Sequence, residues 1–515
     1  MSKGQTYRLT DEQKAIVEAK EDILAVTAYA GTGKTSTLRA LAENRPRERM
    51  LYLAFNRALA QESREAFRGC PNVEVRTIHS LAYSQYGHRY QGTLGDIRPY
   101  ALLPYVEGAL RVSSRGEGYG LARVAAECLQ DFMISSKPSL AAFFRDQRRK
   151  IKAKLEGLRA RPRDLASLVE KIWQDSCQGR FAMPHNGYLK LFQLAPGGRL
   201  DGYDRILVDE AQDLNDCMID LIVQGRSKMV FVGDPFQRIY GFNGAVNALS
   251  GKALKGAAGY FLTQSFRCPA EIAALADQYL RLLGARRRFS GVAGPVAARG
   301  PDGNLVIART NAGLFDFVAR RKTPTTFFYN GGFEGYQFDI ILDLVNLINN
   351  NAADIKDQFI KKFKNIEDIA DYAALVNDNT ATTRIKIARR YLNEAFGLYA
   401  QMLETMVEEN QADYIATTAH KIKGKEYENV ILLDDFVSLE DAVAQGNKIM
   451  EICQRTGEMP PTGSYRLSQE ELRLLYVAMT RSRRNLSIPP RFRLSDGLVA
   501  SFHGLVGQGY IEVTD

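Results

Sequence analysis

The sequence has few cysteines and no long apolar segment. Its 515 residues include six cysteines, which lie far apart and form no CxxC pair. This spacing argues against a disulfide framework and a cysteine-based metal cluster, and favours reduced thiols inside a cell. No apolar run has the length that a membrane crossing requires, and residues 1–14 are polar, without a signal-peptide pattern. We therefore expect a cytoplasmic protein, nucleoid-associated if bacterial, with no membrane partner.

Length and charge favour several domains and a polyanionic partner. The chain is 45% hydrophobic and 25% charged, which is ordinary for a globular protein, and it is too long for a single core. Its formal net charge is +9, which favours a polyanion without specifying which one. We find no internal repeat and no low-complexity tract, so a repeat array is not expected.

Short β-branched runs recur, each followed by a loop and a helical pattern. This alternation predicts βαβ units in doubly wound parallel sheets. The first series comprises Ile23–Thr27, Met50–Ala54, Arg205–Val208 and Lys228–Val232. A second series comprises Tyr260–Thr263, Asn304–Ala308, Tyr414–Thr417 and Asn429–Leu433. Two such series predict two α/β domains.

Each predicted sheet is interrupted by a mainly helical segment. The first segment contains a basic run between Arg145 and Arg163, which either grips phosphate or forms a solvated helix face. The second segment ends in the amphipathic run Thr382–Glu409. We therefore predict one α/β domain from residues 1–80 and 200–262 with an insertion at 81–199. The other is predicted from residues 263–330 and 411–515, with an insertion at 331–410.

A glycine-rich loop, Ala28–Thr35, follows a predicted strand and opens a predicted helix. Such a loop lets backbone N–H groups converge on phosphates, and the helix N-terminus adds positive potential. Lys34 would reach the β- and γ-phosphates of ATP, and Thr35 would bind Mg²⁺. Ala28 replaces the first glycine of the strict pattern. The remaining residues predicted to surround the nucleotide are Ala30, Gly31, Thr32, Gly33 and Ser36.

An acidic pair, Asp209 and Glu210, follows the predicted strand Arg205–Val208. Ligands of open α/β sheets bind at this end of the strands. Asp209 would hold Mg²⁺, and Glu210 would orient and deprotonate the attacking water. An acidic pair after a strand is by itself an ordinary solvated turn. Together with the phosphate loop, it predicts hydrolysis of ATP with Mg²⁺.

Several further motifs accompany these two along the chain. With them the set comprises Leu9–Gln13, Ala28–Thr35, Leu53–Asn56, Arg76–His79, Asp209–Asp213, Val232–Ala245, Leu262–Pro269, Thr418–Tyr427 and Glu470–Arg484. In these motifs and in their order the chain resembles the superfamily 1 DNA helicases of the UvrD/Rep/PcrA type, over nearly its whole length. The resemblance implies two RecA-like parallel-sheet motor domains, each with a mainly helical insertion.

The resemblance assigns residues to the nucleotide. It implies that Gln13 contacts the adenine edge, that Phe266 stacks on adenine and that Glu426 contacts ribose. The side chains that it places at the γ-phosphate are those of Gln237, Arg267 and Arg481. Ser36 stands where the family often has an arginine that stacks on adenine, so that contact is not expected here.

The resemblance also implies that the chain binds single-stranded DNA and single-strand/duplex junctions. Bases stack on aromatic faces regardless of sequence, which suits Phe55 if it is not a core residue. Phe242 stands where the family commonly has tryptophan. The residues expected to contact DNA are Phe55, Asn56, Thr77, His79, Tyr240, Phe242 and His420.

A more specific likeness is to the F-box DNA helicases and their bacterial relatives. It is carried by Pro184–Lys190, Asp357–Phe363 and Val430–Phe436. The F-box itself is not expected, since the motor begins almost at Met1.

The leading hypothesis is an ATP-dependent 3′→5′ DNA helicase or single-strand translocase. Two alternatives remain open: an RNA-directed or 5′→3′ motor of the same superfamily, and a nucleotide-gated nucleic-acid-binding subunit of a repair or defence complex.

Overall fold

The chain forms two compact units. The first comprises Met1–Ala28 and Gly33–Leu262, and the second comprises Tyr29–Thr32 and Thr263–Asp515. The computed structural model describes residues 8–195, 200–239, 246, 248–250, 254–292, 304–321, 325–375, 379–460 and 463–514.

The first unit is built on a six-stranded sheet whose strands are all parallel. The strands are β1 (Ile23–Ala28), β2 (Met50–Ala54), β3 (Val73–Thr77), β4 (Arg205–Val208), β5 (Lys228–Gly233) and β6 (Ala258–Leu262). Their order across the sheet is β3-β2-β4-β5-β1-β6. All loops at the carboxyl ends of these strands therefore lie along one edge.

Both faces of this sheet are covered by helices, which explains why its central strands are almost uniformly apolar. Along β2, Leu51 and Leu53 enter one core cluster, while Met50 and Tyr52 enter another on the opposite face. The helices of the first unit are α1 (Asp11–Glu18), α2 (Lys34–Glu43), α3 (Arg57–Ala66), α4 (Ile78–Gln85), α5 (Leu103–Ala109), α6 (Arg115–Ile134), α7 (Leu140–Asp146), α8 (Arg148–Lys154), α9 (Pro162–Cys177), α10 (His185–Leu194) and α11 (Asp216–Val223).

The segment between β3 and β4 is helical and has a core of its own. Leu121, Phe132, Leu165 and Ile172 are buried together on helices α6 and α9. Trp173 packs edge-on against Phe132, with 5.6 Å between the ring centroids. The insertion is therefore a packed body and not an extended loop.

The second unit is built on a five-stranded parallel sheet of order β10-β11-β9-β12-β14. Two strand pairs, β7 with β8 and β13 with β15, lie outside it. In chain order the strands are β7 (Gln264–Pro269), β8 (Ser290–Val292), β9 (Asn304–Ala308), β10 (Phe327–Tyr329), β11 (Tyr414–Thr418), β12 (Tyr427–Leu432), β13 (Tyr465–Ser468), β14 (Ser482–Ser487) and β15 (Ile511–Thr514).

Helices and a shared apolar core complete the second unit. Residues of the sheet such as Ala308 and Ala416 join the same core cluster as Ile341 and Val345 of the insertion. The helices are α12 (Ala270–Leu282), α13 (Asn311–Ala319), α14 (Asp339–Ile348), α15 (Ile366–Leu375), α16 (Asn379–Arg390), α17 (Ala395–Glu404), α18 (Leu439–Thr456), α19 (Gln469–Met479) and α20 (Asp496–Gly507).

One prediction about the sheets is wrong. The run Tyr260–Thr263 does not begin the second sheet, because β6 pairs in parallel with β1, Leu24 opposite Ala258, at the edge of the first sheet. The amphipathic run Thr382–Glu409 spans most of α16 and all of α17, with a break between the two helices. Tyr391 lies in this break, where its hydroxyl donates to Asp316 and its ring packs on Phe315. Tertiary contacts therefore override the helical periodicity.

The predicted fold class is confirmed: two parallel α/β sheets, each interrupted by a mainly helical insertion. Among the helices in the described ranges, none combines the length and the apolar character that a membrane crossing needs.

Candidate nucleotide site and strand-binding residues

The phosphate loop has the backbone geometry that an anion cradle requires. Gly31 and Gly33 have φ of +70° and +79°, values that suit glycine and few other residues. Gly33 is the N-cap of α2, whose first residue is Lys34. The helix N-terminus and the Lys34 ammonium therefore meet at one point, an arrangement that fits a triphosphate.

Lys34 pairs with Glu210 inside the first unit. Their Nζ and Oε1 atoms are 2.8 Å apart, and both side chains are mostly buried. Burial disfavours the charge on Lys34, but the carboxylates of Glu210, Asp209 and Asp234 outweigh it and raise the pKa of Lys34. The ammonium stays charged and is surrounded by three acids, which a phosphate would replace as its partner.

Asp209 lies at the end of β4 with its carboxylate held on two sides. Its Oδ1 accepts the Glu210 N–H at 2.8 Å, and its Oδ2 accepts the Tyr52 hydroxyl at 2.5 Å. Thr35 is within hydrogen-bonding reach of the same hydroxyl. Burial raises the pKa of Asp209, and the negative charge of Glu210 raises it further. A divalent cation would reverse this effect, so the donor set fits Mg²⁺.

The part of the chain that the structure describes offers few grouped ligands for a metal ion. Within the described ranges, no group of three or more His, Cys, Asp or Glu side chains is placed to hold a metal ion. Mg²⁺ in nucleotide sites takes one or two protein oxygens and completes its shell with phosphates and water. Thr35 and Asp209 are the residues predicted to supply such oxygens, and both lie beside the Tyr52 hydroxyl.

Glu210 adopts a left-handed backbone conformation, with φ of +50°. For a residue other than glycine such a conformation costs on the order of 1–3 kcal/mol, and it persists only when its surroundings enforce it. Glu210 is so constrained: its N–H donates to Asp209, its carboxylate meets Lys34, and Gln212 donates to its Oε2 at 2.7 Å. Its carboxylate is thus held in one position.

Gln212 connects Glu210 to the loop after β5. Its Nε2 donates to Glu210, and its Oε1 accepts the Asp234 N–H at 2.9 Å. Asp234 in turn accepts Gln237 Nε2 at 2.8 Å. A Cβ on Gly233 would lie 2.3 Å from Gln212 Oε1, so only glycine permits this approach. The buried chain Glu210–Gln212–Asp234–Gln237 therefore links two of the predicted nucleotide residues.

Gln13 and Ser36 complete the predicted nucleotide residues of the first unit. Gln13 is buried in α1, and its Oε1 accepts the Thr10 N–H at 3.0 Å in a capping box. Ser36 is exposed near the start of α2. Gln13 thus uses its oxygen within its own helix, and its role toward adenine stays a prediction.

The tip of the phosphate loop packs within the second unit. The Phe266 N–H donates to Gly31 O at 2.8 Å, and the Ala30 N–H donates to the Tyr476 hydroxyl at 3.0 Å. A Cβ on Gly31 would lie 2.5 Å from Arg267 Cβ. The Phe266 side chain, predicted to stack on adenine, is exposed. Thr32 bonds to the loop itself, through Tyr29 O at 2.8 Å.

Glu426 gathers two arginines in the second unit. Its carboxylate forms ion pairs with both Arg267 and Arg483. Burial disfavours its charge, but these arginines hold the pKa of Glu426 below its ordinary value. Arg267, predicted at the γ-phosphate, and Glu426, predicted at ribose, are therefore partners of each other in this structure.

Arg481 is almost completely buried, with 1% of its surface exposed. Its guanidinium donates to Val477 O at 2.9 Å, Lys425 O at 3.4 Å and Thr480 Oγ1 at 3.3 Å. Burial, and then the charge of Arg267, lower the pKa of Arg481 to about 10. It is fixed by backbone carbonyls and would have to leave some of them to reach a phosphate.

In the first unit, the residues predicted to contact DNA follow β2 and β3. They lie beside the predicted nucleotide residues, which follow β4, β5 and β1. Phe55 is partly exposed, so it is not a core residue. Asn56 and Thr77 cap helices: Asn56 Oδ1 accepts the Leu59 N–H, and Thr77 Oγ1 accepts the Ser80 N–H. His79 Nε2 lies 3.3 Å from Asn186 Oδ1, and burial lowers the pKa of His79.

The two groups of residues meet at Asp209. Its N–H donates to Leu53 O at 3.1 Å, and a cavity of about 10 Å³ is lined by Phe55, His79 and Asp209 together with Leu53, Ala54, Ile78, Leu214 and Met218. Asp209 thus lies between the predicted nucleotide residues and the residues predicted to contact DNA, at the carboxyl ends of the strands. The topology brings them together, since β2 and β4 are neighbours.

In the second unit, the predicted nucleotide residues and the residue predicted to contact DNA lie at opposite ends of the parallel strands. Glu426 and Arg481 directly precede β12 and β14, whereas His420 follows β11. His420 Nε2 is 3.5 Å from Glu470 Oε1. On the same helix Arg473 donates to Gln469 Oε1 at 2.7 Å. Tyr240 and Phe242, both predicted to contact DNA, lie outside the described residues.

Sequence reasoning missed several residues of these networks, namely Tyr52, Asn186, Gln212, Asp234 and Arg483. Gln212 and Asp234 lie inside the motifs named above, so their position was a usable signal. Tyr52 is one of five buried residues of β2 and carries no local signal.

Comparison with known proteins gives a family-model match and curated relatives. A protein-family model described as an AAA domain matches residues 12–243. The chain is 30% identical over 517 residues to F-box DNA helicase 1 of Gallus gallus, covering 93% of this chain and 49% of that protein. It is 29% identical over 566 residues to F-box DNA helicase protein 1 of Schizosaccharomyces pombe, covering 98% of this chain and 61% of that protein. The chain therefore spans about half to three fifths of these relatives' length.

These matches agree with the motif order and with the two parallel sheets. The expected resemblance is confirmed. Over nearly its whole length the chain is similar to proteins named DNA helicases.

Proposed function

We propose that this chain is an ATP-dependent DNA helicase or single-strand DNA translocase that moves 3′→5′. The observation that supports it most is the cluster of Lys34, Asp209 and Glu210 at the carboxyl ends of β1 and β4. A charged lysine, a buried acid with raised pKa and a strained, fixed carboxylate meet at a helix N-terminus. Phosphoryl transfer requires this kind of positioning and charge stabilisation.

In the proposed reaction Lys34 exchanges Glu210 for the β- and γ-phosphates. Glu210, released from the ammonium but still bonded to Gln212, orients a water molecule and accepts its proton. Mg²⁺, held by Thr35 and Asp209, would neutralise charge on the phosphates when bound. Gln237 contacts the γ-phosphate, and the hydrogen bonds through Asp234 and Gln212 link Gln237 to Glu210.

Arg267 and Arg481 are proposed to stabilise the charge that develops on the γ-phosphate. In this structure Arg267 is paired with Glu426, and Arg481 with backbone carbonyls. We propose that ATP competes for both guanidinium groups and that Glu426 turns to ribose as Arg267 leaves it. Such an exchange makes two conformations differ in nucleotide affinity, which is what a motor requires.

The strand is proposed to contact Phe55, Asn56, Thr77, His79 and His420, with junctions as the working substrate. The position of Asp209 supports coupling between ATP hydrolysis and strand movement. The proposed metal ligand, Asp209, lines the same small cavity as Phe55 and His79, which are proposed to contact DNA. The names of both relatives include DNA helicase, which supports DNA as the polymer.

The test is the ATPase rate with no polymer, single-stranded DNA, duplex DNA and single-stranded RNA at equal nucleotide concentration. We expect single-stranded DNA to stimulate hydrolysis at least tenfold and duplex DNA or RNA much less. Equal stimulation by RNA would favour an RNA-directed motor. Tight nucleotide-dependent DNA binding without stimulated turnover would favour a nucleotide-gated subunit instead.

A further inference from the structure

Helix α17 of the second insertion carries an exposed apolar stripe. The helix buries Ala395 and Met402, but Phe396 and Leu403, one heptad apart on one face, remain 48% and 43% exposed. Met406, just beyond the helix, is 45% exposed. Exposed large apolar side chains are common singly, but adjacent ones mark interaction sites. We name Phe396, Leu403 and Met406 the α17 surface.

The α17 surface lies on an acidic segment of a basic protein. Residues 391–420 contain neither lysine nor arginine, in a chain whose net charge is +9. Glu394, Glu404 and Glu408 are exposed. The remaining acids of this segment are Glu409 and Asp413.

Acidic residues of neighbouring elements add to the negative charge around α17. Tyr399 of α17 packs against Phe333, with 5.4 Å between ring centroids. Burial raises the pKa of Tyr399, and the charges of Asp339 and Glu334 raise it further. Carboxylates therefore approach α17 from α14 and from the turn that precedes it, as well as from its own segment.

This charge disfavours a nucleic acid as the occupant. A polyanion would meet like charge with no lysine or arginine from the segment to neutralise phosphates. A basic protein segment with apolar residues at helical spacing would satisfy both features, since its apolar face would cover the stripe and its cations would face the carboxylates.

We propose that the α17 surface docks a basic amphipathic helix of a partner protein, outside the proposed motor site. The partner presents leucine-like side chains on one face, flanked by lysine or arginine. Because the patch is small and its flank is solvated, we expect a dissociation constant in the micromolar range.

The test uses the full chain and a synthetic helical peptide of leucine and lysine at heptad spacing, with its fluorescence anisotropy as readout. We expect micromolar binding that weakens with salt. Phe396→Ser/Leu403→Ser should weaken it at least tenfold with unchanged basal ATPase and melting temperature. Tyr100→Ser, which removes another exposed aromatic side chain (38% exposed), is the matched control and should bind as the parent does.

A charge exchange makes the result specific. Glu404→Lys/Glu408→Lys keeps the apolar stripe, so it should reject the lysine peptide and accept the same peptide built with glutamate. The proposal is overturned if the serine variant binds like the parent, if both peptides bind the parent equally, or if sedimentation shows that the stripe mediates self-association instead.

Discussion

The Lys34 ammonium lies 2.8 Å from the Glu210 carboxylate, so each neutralises the other in this structure. ATP must separate them, which leaves Lys34 on phosphate and lets Glu210 act on water. The pair thus makes the base available only when nucleotide is bound. Two substitutions separate these roles.

Lys34→Ala should abolish both nucleotide binding and hydrolysis, because it removes the phosphate partner. Glu210→Gln should lower turnover at least 10³-fold but retain nucleotide binding, since it removes only the base. A fluorescent ATP analogue measures binding, and phosphate release measures turnover. Glu62→Gln, the same change on an exposed carboxylate of α3, is the control. Near-normal turnover in Glu210→Gln would show that another group is the base.

Gln212 should act on turnover through Glu210 and Asp234. Gln212→Leu leaves buried polar partners unsatisfied, at about 1–3 kcal/mol, so we expect kcat to fall roughly 10- to 100-fold with little change in KM for ATP. Gln212→Glu keeps the acceptor for Asp234 but places a second carboxylate beside Glu210.

A like charge disfavours ionisation, so the acidic limb of the pH–rate profile should move to higher pH in Gln212→Glu. A merely structural role for Gln212 would lower stability without moving that limb. An unshifted profile with normal kcat in both variants would show that Gln212 does not act on Glu210 during turnover.

The two predicted arginine fingers should behave differently. Arg267→Ala and Arg481→Ala should each reduce turnover by about 10³-fold or more. Arg481 is buried and donates to backbone carbonyls, so its loss should also cost roughly 2–4 kcal/mol of folding free energy. Thermal melting beside kcat measures both. An Arg481→Ala chain that melts like the parent, or an Arg267→Ala chain that loses only nucleotide affinity, would contradict these roles.

Much of the fold could be predicted because its central strands are buried on both faces. Met50–Ala54 and Arg205–Val208 coincide with β2 and β4, since such strands appear as short apolar runs between loops. Edge strands carry no such signal. β14 is Ser482–Ser487, with Arg483, Arg484 and Asn485 in the middle, and it is a strand because it pairs with β12.

The candidate site likewise has a part that could be predicted from the sequence and a part that could not. Lys34, Asp209 and Glu210 stand in local motifs, so their proximity could be predicted from the parallel topology. The hydrogen bonds of Tyr52 to Asp209 and of Gln212 to Asp234 join distant segments and leave no spacing pattern. The burial of Arg481 was also unpredictable, because arginine is usually exposed.

The basic helix α8 should contribute to DNA affinity. Arg148, Arg149 and Lys150 are exposed, so their replacement by glutamine should flatten the dependence of log Kd on log salt by about 0.7 for each DNA phosphate that they neutralise on a single strand. Anisotropy of a labelled oligonucleotide across a salt series measures the slope. Removing three other exposed cations, Lys448, Arg455 and Arg466, controls for net charge. Equal slopes in both triple variants would assign α8 to a solvated face.

Strand displacement on tailed duplexes measures whether ATP hydrolysis drives 3′→5′ movement on DNA. The parent chain, with ATP and Mg²⁺, is given one duplex with a 3′ single-stranded tail and a matched duplex with a 5′ tail, alongside Glu210→Gln. We expect the parent to displace the strand of the 3′-tailed duplex and little of the 5′-tailed duplex. Glu210→Gln should displace neither, although it binds both. Displacement that persists in Glu210→Gln, or that requires the 5′ tail, would contradict 3′→5′ movement driven by hydrolysis.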